Sequence, residues 1–195
     1  MSLLSIRNLT KTFGGLTAVS DLSFDVEEKS VVGLIGPNGA GKTTVFNLIT
    51  GNYQGDRGDI LFDGAAIAGL PIHRIVTLGI ARTFQTIRLF QNMSVLENVL
   101  AGRHCRMKSG LLSSMFKPPA EKREEQEALR FALGELAFVG LKGQATQKAG
   151  SLSYGNQRLL EIARALATEP RLLILDEPAG GMNEQETEAL VGLIG

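Results

Sequence analysis

Gly36-Pro37-Asn38-Gly39-Ala40-Gly41-Lys42-Thr43 fills every position of a G-x-x-x-x-G-K-T loop. The apolar run from Val31 to Ile35 reads as a strand before it, and a helix is expected after it, running toward Ile49. In that setting the glycines let successive backbone N–H groups turn inward, and the helix N-terminus adds partial positive charge where phosphate oxygens collect. The stretch therefore reads as a nucleoside triphosphate site, with Gly36, Asn38, Gly39, Gly41, Lys42, Thr43 and Thr44 as the expected phosphate-binding set. Lys42 is expected to reach the β- and γ-phosphates, and the Thr43 hydroxyl to take a Mg²⁺ position. A glycine-rich turn that binds nothing is the bland alternative, and the complete motif in its strand–loop–helix context disfavours it.

The rest of the chain bounds what can surround this loop. With 195 residues, 44% of them hydrophobic, it can bury one good core and a subsidiary lobe. Its 20 basic and 20 acidic side chains cancel, so it carries no electrostatic footprint for nucleic acid, and none is expected as a partner. No apolar run approaches the roughly 20 residues of a membrane helix, and the polar N-terminus is too brief for a signal peptide. A cytosolic chain is expected. The single cysteine, Cys105, can form neither an internal disulfide nor a multi-thiolate metal site, and it reads as an ordinary thiol.

Periodicity separates three stretches. Up to Phe62 the pattern is strand-like, with alternation in Leu4 to Arg7 and Leu22 to Val26 and a short run Ile60-Leu61-Phe62. From about Asn92 to Ala149 it is helical and more charged, opening on the capping-box pattern Ser94-Val95-Leu96-Glu97. A helix over Glu121 to Val139 is expected to place Leu129, Leu133 and Leu136 on one face and to stop at Gly140, with Lys108 to Pro119 as a loop before it. The third stretch predicts a helix from about Gly155 to Thr168, a buried strand Leu172 to Leu175, and a helix from Glu184 onward.

That strand ends in Asp176-Glu177-Pro178. An apolar strand of an open α/β sheet delivers its C-terminal carboxylates to the mouth of the sheet, where ligands sit. Asp176 can then hold Mg²⁺ through water, while Glu177 orients or deprotonates an attacking water. An acidic pair that merely caps a strand is the alternative, weakened by the full P-loop in the same chain.

Leu152-Ser153-Tyr154-Gly155-Asn156-Gln157-Arg158, taken with the P-loop and Asp176-Glu177, resembles the signature motif of the ABC ATPases, and the resemblance runs through essentially the whole chain. It implies a P-loop NTPase α/β core of RecA-like type with an N-terminal antiparallel β subdomain and an inserted helical subdomain. Residues 1–91 and 150–195 would form the nucleotide-binding core, and 92–149 the helical subdomain. In that family the helix behind the signature faces the γ-phosphate held by a second cassette, so Ser153 and Gly155 are the expected contacts. Tyr154 stands at the first of the usual glycine pair and Asn156 where glutamine is commonest.

Other positions carry over one at a time. Phe13 lies where the family stacks an aromatic ring on adenine; an ordinary core phenylalanine is the alternative. Gln85, closing Ala81-Arg82-Thr83-Phe84-Gln85, resembles the family glutamine that touches Mg²⁺ and the attacking water. Gly180-Gly181-Met182-Asn183 occupies the D-loop, with Asn183 where aspartate is more usual, or else serving simply as the cap of the next helix with Glu186. The family's switch histidine has no counterpart, since His73 and His104 both precede the signature. The helical pattern is still running at Gly195, so the expectation is a C-terminally truncated cassette that binds ATP, turns it over weakly and exposes an unpaired sheet edge.

Phe13-Gly14-Gly15-Leu16, Arg82 to Gln85, Arg88-Leu89-Phe90, Met93 to Asn98, Ser153-Tyr154-Gly155 and Glu177 to Gly180 look like the ATP-binding subunit of bacterial branched-chain amino acid importers. Cassettes for urea, amides or lipopolysaccharide share much of this pattern. The resemblance implies membrane permease subunits docked near Gln85 and the helices beginning at Val95, a second cassette, an external solute-binding protein acting indirectly, and a place on the cytoplasmic face of the membrane. Arg103, Arg106 and Lys108 would help that docking or form a solvated basic face. A soluble ABC ATPase of DNA repair or translation, or a small-molecule kinase, remains the alternative class.

Overall fold

Alternating apolar and polar residues from Ser2 to Glu27 fold back on themselves as β1 (Ser2–Phe13) and β2 (Leu16–Glu27), an antiparallel pair closed at Phe13 opposite Leu16. The two loop residues, Gly14 and Gly15, both have positive φ, the backbone that a two-residue hairpin loop requires. In this computed structural model, which describes residues 2–106 and 119–195, β3 (Arg57–Phe62) pairs with the other edge of β1 and β4 (Ala65–Ala66) follows it. The sheet order is β2-β1-β3-β4. Leu4 lies opposite Phe62 and Ile6 opposite Ile60, and all four side chains are buried, so these cross-strand pairs form the centre of the unit's core.

This sheet belongs to the first of two compact units, which ends at Ile80; the second spans Ala81–Gly195. Also in the first are α1 (Lys42–Ile49), which buries Val45, Leu48 and Ile49, and α2 (Ile72–Leu78), which buries Ile75. Val31 to Ile35, expected as a strand, has no regular structure, and Ile35 is 95% exposed. The residues are strand-prone, but a strand exists only through ladder hydrogen bonds to a neighbour, and the sheet of this unit has no strand beside them.

The second unit is mainly helical. It contains α3 (Val95–Arg103), α4 (Pro119–Phe138), α5 (Tyr154–Leu166) and α6 (Glu184–Ile194), with β6 (Leu172–Ile174) paired to β5 (Ile80–Arg82), all but the first residue of which lies in this unit. Val95, Val99, Ala132, Leu136, Leu160 and Ala163 are wholly enclosed in its core. Burial of each larger aliphatic side chain contributes about 1.5–3 kcal/mol. The capping box at Ser94 and Glu97 is present, and Gly140 takes positive φ just past α4, as expected.

The buried face of α4 matches the expected one in part. Leu136 is wholly buried and Leu133 half-buried, but Leu129 is exposed, and Ala128 and Ala132 complete the inward face, with Val139 buried just past the helix. Small alanines let the helix approach its neighbours closely, so side-chain bulk alone does not mark the whole stripe. Most of the expected loop before α4 lies in residues 107–118, outside the described residues, and Pro119 already opens the helix.

Candidate functional site

The glycine-rich loop sits in the first unit and ends at α1. Gly41 has φ +85°, and a Cβ there would lie 2.2 Å from the Ala18 carbonyl oxygen, so both the backbone angle and the space demand glycine. Behind it, the first turn of α1 has no side-chain cap and no acidic residue. α3 and α6 close their N-termini with complete capping boxes and α5 with Ser153, whereas α2, like α1, has no side-chain cap and no acidic residue in its first turn. The amide end of α1 is thus left open for an anion directly behind the glycine loop. Lys42 is folded back on the loop, its Nζ donating to the carbonyls of Gly36 at 2.6 Å and Pro37 at 2.9 Å. Asn38, Gly39 and Thr43 are exposed around it, and Gly36 and Thr44 are half-buried.

Phe13, at the tip of β1, is 40% exposed and meets Tyr53 edge to face, with ring centroids 5.2 Å apart. Lys11 Nζ lies 5.3 Å from the centre of the same ring. Phe13 is therefore a surface ring held upright by two neighbours, and not a core phenylalanine.

In the second unit, Asp176 follows β6 and is buried; its Oδ2 accepts from Arg82 at 2.8 Å, and both side chains are almost fully enclosed. Glu177, the next residue, turns outward through a positive φ of 47°. Its Oε2 accepts from Gln85 Nε2 at 2.8 Å, so the fold brings together two expected site residues 92 positions apart. Ser153 accepts from the Asn156 amide at 3.3 Å as the cap of α5. Gly155 is buried at the start of that helix, where an added Cβ would come within 2.2 Å of Glu186 Oε1. Glu186 in turn closes a capping box with Asn183, so Asn183 does serve as a helix cap.

Several residues that matter here were not singled out in the sequence. Arg82 orients Asp176. Arg158, which is buried, donates through one terminal nitrogen to the Phe84 carbonyl at 2.7 Å and through the other to the Gln85 carbonyl. Glu161, also buried, accepts from the Arg88 amide at 2.7 Å. Buried Asn98 holds Phe90 through both its amide and its carbonyl. The available signal was the spacing of Tyr154, Arg158 and Glu161, which puts three polar side chains on one helical face. The expected basic face at Arg103 and Arg106 is instead engaged at the end of α5: Arg103 pairs with Glu169, and Arg106 donates to the Thr168 carbonyl at 2.6 Å. Lys108 lies outside the described residues.

The open, acid-free start of α1 behind the glycine loop fits the phosphates of a nucleotide. Among the described residues no three His, Cys, Asp or Glu side chains cluster as a metal cage.

A glycine loop opening an uncapped helix, together with a buried aspartate and an exposed Glu–Gln pair at a strand end, defines a P-loop nucleotide-binding α/β protein. Residues 19–180 match the family model of the ABC transporter, and the chain belongs to that family. It is 50% identical over 192 residues to the high-affinity branched-chain amino acid transport ATP-binding protein BraF of Pseudomonas aeruginosa, covering 98% of this chain and 75% of that protein. To LivG of Escherichia coli, described in the same words, it is 47% identical over the same shares. Among solved structures, the ATP-binding cassette MJ1267 of an ABC transporter superposes with a TM-score of 0.85 at 35% identity, covering 100% of this chain and 76% of that one. The cassette MJ0796, solved as a dimer, gives a TM-score of 0.81 at 25% identity, covering 98% of this chain and 81% of that one.

Proposed function

We propose that this chain is the ATP-binding, ATP-hydrolysing subunit that powers an ABC importer for branched-chain amino acids. The observation that carries the nucleotide reading is the bare N-terminus of α1 behind a complete Gly36 to Thr43 loop. The solute follows from the relatives, two of which are named for branched-chain amino acid transport. The core would comprise residues 1–91 and 150–195, with 92–149 as the helical subdomain.

Each residue then has a task. Lys42 leaves the Gly36 and Pro37 carbonyls to bind the β- and γ-phosphates, and the loop amides with Thr44 hold the rest. The exposed ring of Phe13 stacks on the base. Thr43, Gln85 and Asp176 would hold Mg²⁺, which would supply charge neutralisation for the phosphates. Glu177 orients the attacking water and takes its proton, and Gln85 holds that carboxylate in place. Ser153 and Gly155 offer the start of α5 to the nucleotide of a second cassette. Membrane permease subunits dock near Gln85 and α3 on the cytoplasmic face and through them an external solute-binding protein acts; no helix among the described residues is itself long and apolar enough to cross a membrane.

Titration with Mg·ATP tests this directly. The wild-type chain binds; Lys42→Ala weakens binding at least about 100-fold, and Glu177→Gln keeps binding while losing turnover by about 100-fold or more. Equal ATP affinity in Lys42→Ala would sink the site assignment. Co-purification with a polytopic membrane protein separates transport from a soluble mechanical role.

A further inference from the structure

Tyr154, Arg158 and Glu161 share one face of α5 and converge on the segment that carries Gln85. The Arg158 guanidinium donates to the carbonyls of Phe84 and Gln85, to the Tyr154 hydroxyl at 3.0 Å and to Glu161 Oε2 at 3.2 Å. The other oxygen of Glu161 accepts from the Arg88 amide, so one buried ion pair grips the segment at Phe84, Gln85 and Arg88. Arg88 also lies over the Phe84 ring at 4.5 Å, which closes the turn between the two grips.

Tyr154 connects this clamp to a second loop. Its ring lies against Gly181, where an added Cβ would come within 2.9 Å of the ring edge and where φ is +79°. The aromatic residue therefore occupies space that a glycine at position 154 would leave empty, and its hydroxyl reaches Arg158. Arg158 Nε is buried with no hydrogen-bond partner, although the rest of the guanidinium is fully committed. A side chain serving only to fill the core would be better apolar, because a buried ion pair is a poor source of net stability. What it does supply is a fixed fork geometry.

We propose that Arg158, braced by Tyr154 and Glu161, is a positioning residue for Gln85: it holds the carbonyls on either side of the Gln85 nitrogen so that the side-chain amide meets Glu177. Through Tyr154 the same clamp registers the position of the Gly181 loop. The role in turnover rests on the ATPase reading above; the placement of Gln85 does not.

The deciding readout is the Gln85 side-chain amide resonance in ¹⁵N–¹H correlation spectra of the whole chain, assigned by its loss in Gln85→Ala. Glu177→Gln, which alters the bond acceptor, marks where the perturbed resonance falls. Arg158→Gln is expected to move the Gln85 resonance and broaden it, and to lower turnover at least about tenfold with ATP affinity unchanged. In a Gln85→Ala background the same change should lower turnover less than twofold, a coupling that a merely structural role would not produce. Should Arg158→Gln fail to fold, Arg158→Lys, which keeps the charge and loses the fork, is read in the same way. An unmoved Gln85 resonance in a folded Arg158 variant overturns the proposal. Absence of ATP binding by the wild type overturns the ATPase reading instead and leaves the resonance test intact.

Discussion

At residue scale, Gly39 and Gly41 separate two reasons for glycine. Both have positive φ, but an added Cβ at Gly39 meets nothing within 4 Å, whereas at Gly41 it strikes the Ala18 carbonyl. Gly39→Ala should cost about 1–2 kcal/mol of stability from backbone strain alone. Gly41→Ala should cost clearly more, and the gap between the two urea midpoints measures the collision. The motif made the glycines, Lys42 and Thr43 legible, because their tasks are fixed by spacing along the chain. It could not show Lys42 folded onto Gly36 and Pro37, nor Arg82 beside Asp176, since those contacts depend on where the backbone turns.

At the scale of elements, α5 carries both core and polar duties. Leu160 is wholly buried, and Leu160→Ala should destabilise the chain by about 2–5 kcal/mol in chemical denaturation. Glu161→Ala should cost about 3–5 kcal/mol, since it leaves Arg158 buried without its carboxylate and the Arg88 amide without its acceptor. Burial also draws the Arg164 guanidinium below its usual range, opposed by the nearby Glu161 charge, so the same substitution removes that compensation. Helix starts were readable wherever a capping residue lay at the correct offset, as at Ser94 and Asn183. The buried face of α4 was readable only at Leu136, because Ala128 and Ala132 pack inward where side-chain bulk favours Leu129. Val31 to Ile35 has the propensity of a strand without forming one for a different reason: propensity is local, but a ladder needs a neighbour.

For the whole molecule, exposed carboxylates set the response to acid. Arg7, then the Ser5 hydroxyl, holds Asp25 below its usual range; Lys11, then the Thr12 amide, does so for Asp56; and the Ser94 amide, then its hydroxyl, for Glu97. A carboxylate with a lower pKa folded than unfolded contributes stability above its unfolded pKa and loses it as pH falls through the folded value. Urea midpoints should therefore decline below about pH 4, and Asp25→Asn should flatten that decline. The segment Val31 to Gly36 also shapes how one molecule meets another. These six residues carry no charge or proline and are rich in β-branched side chains, and with Val31, Val32 and Ile35 open to solvent they are a template on which a like segment of another molecule can stack. Purified at high concentration, the chain should form thioflavin-binding fibrils seeded at this hexapeptide, and Val32→Lys should lengthen the lag phase severalfold with little change in the unfolding midpoint.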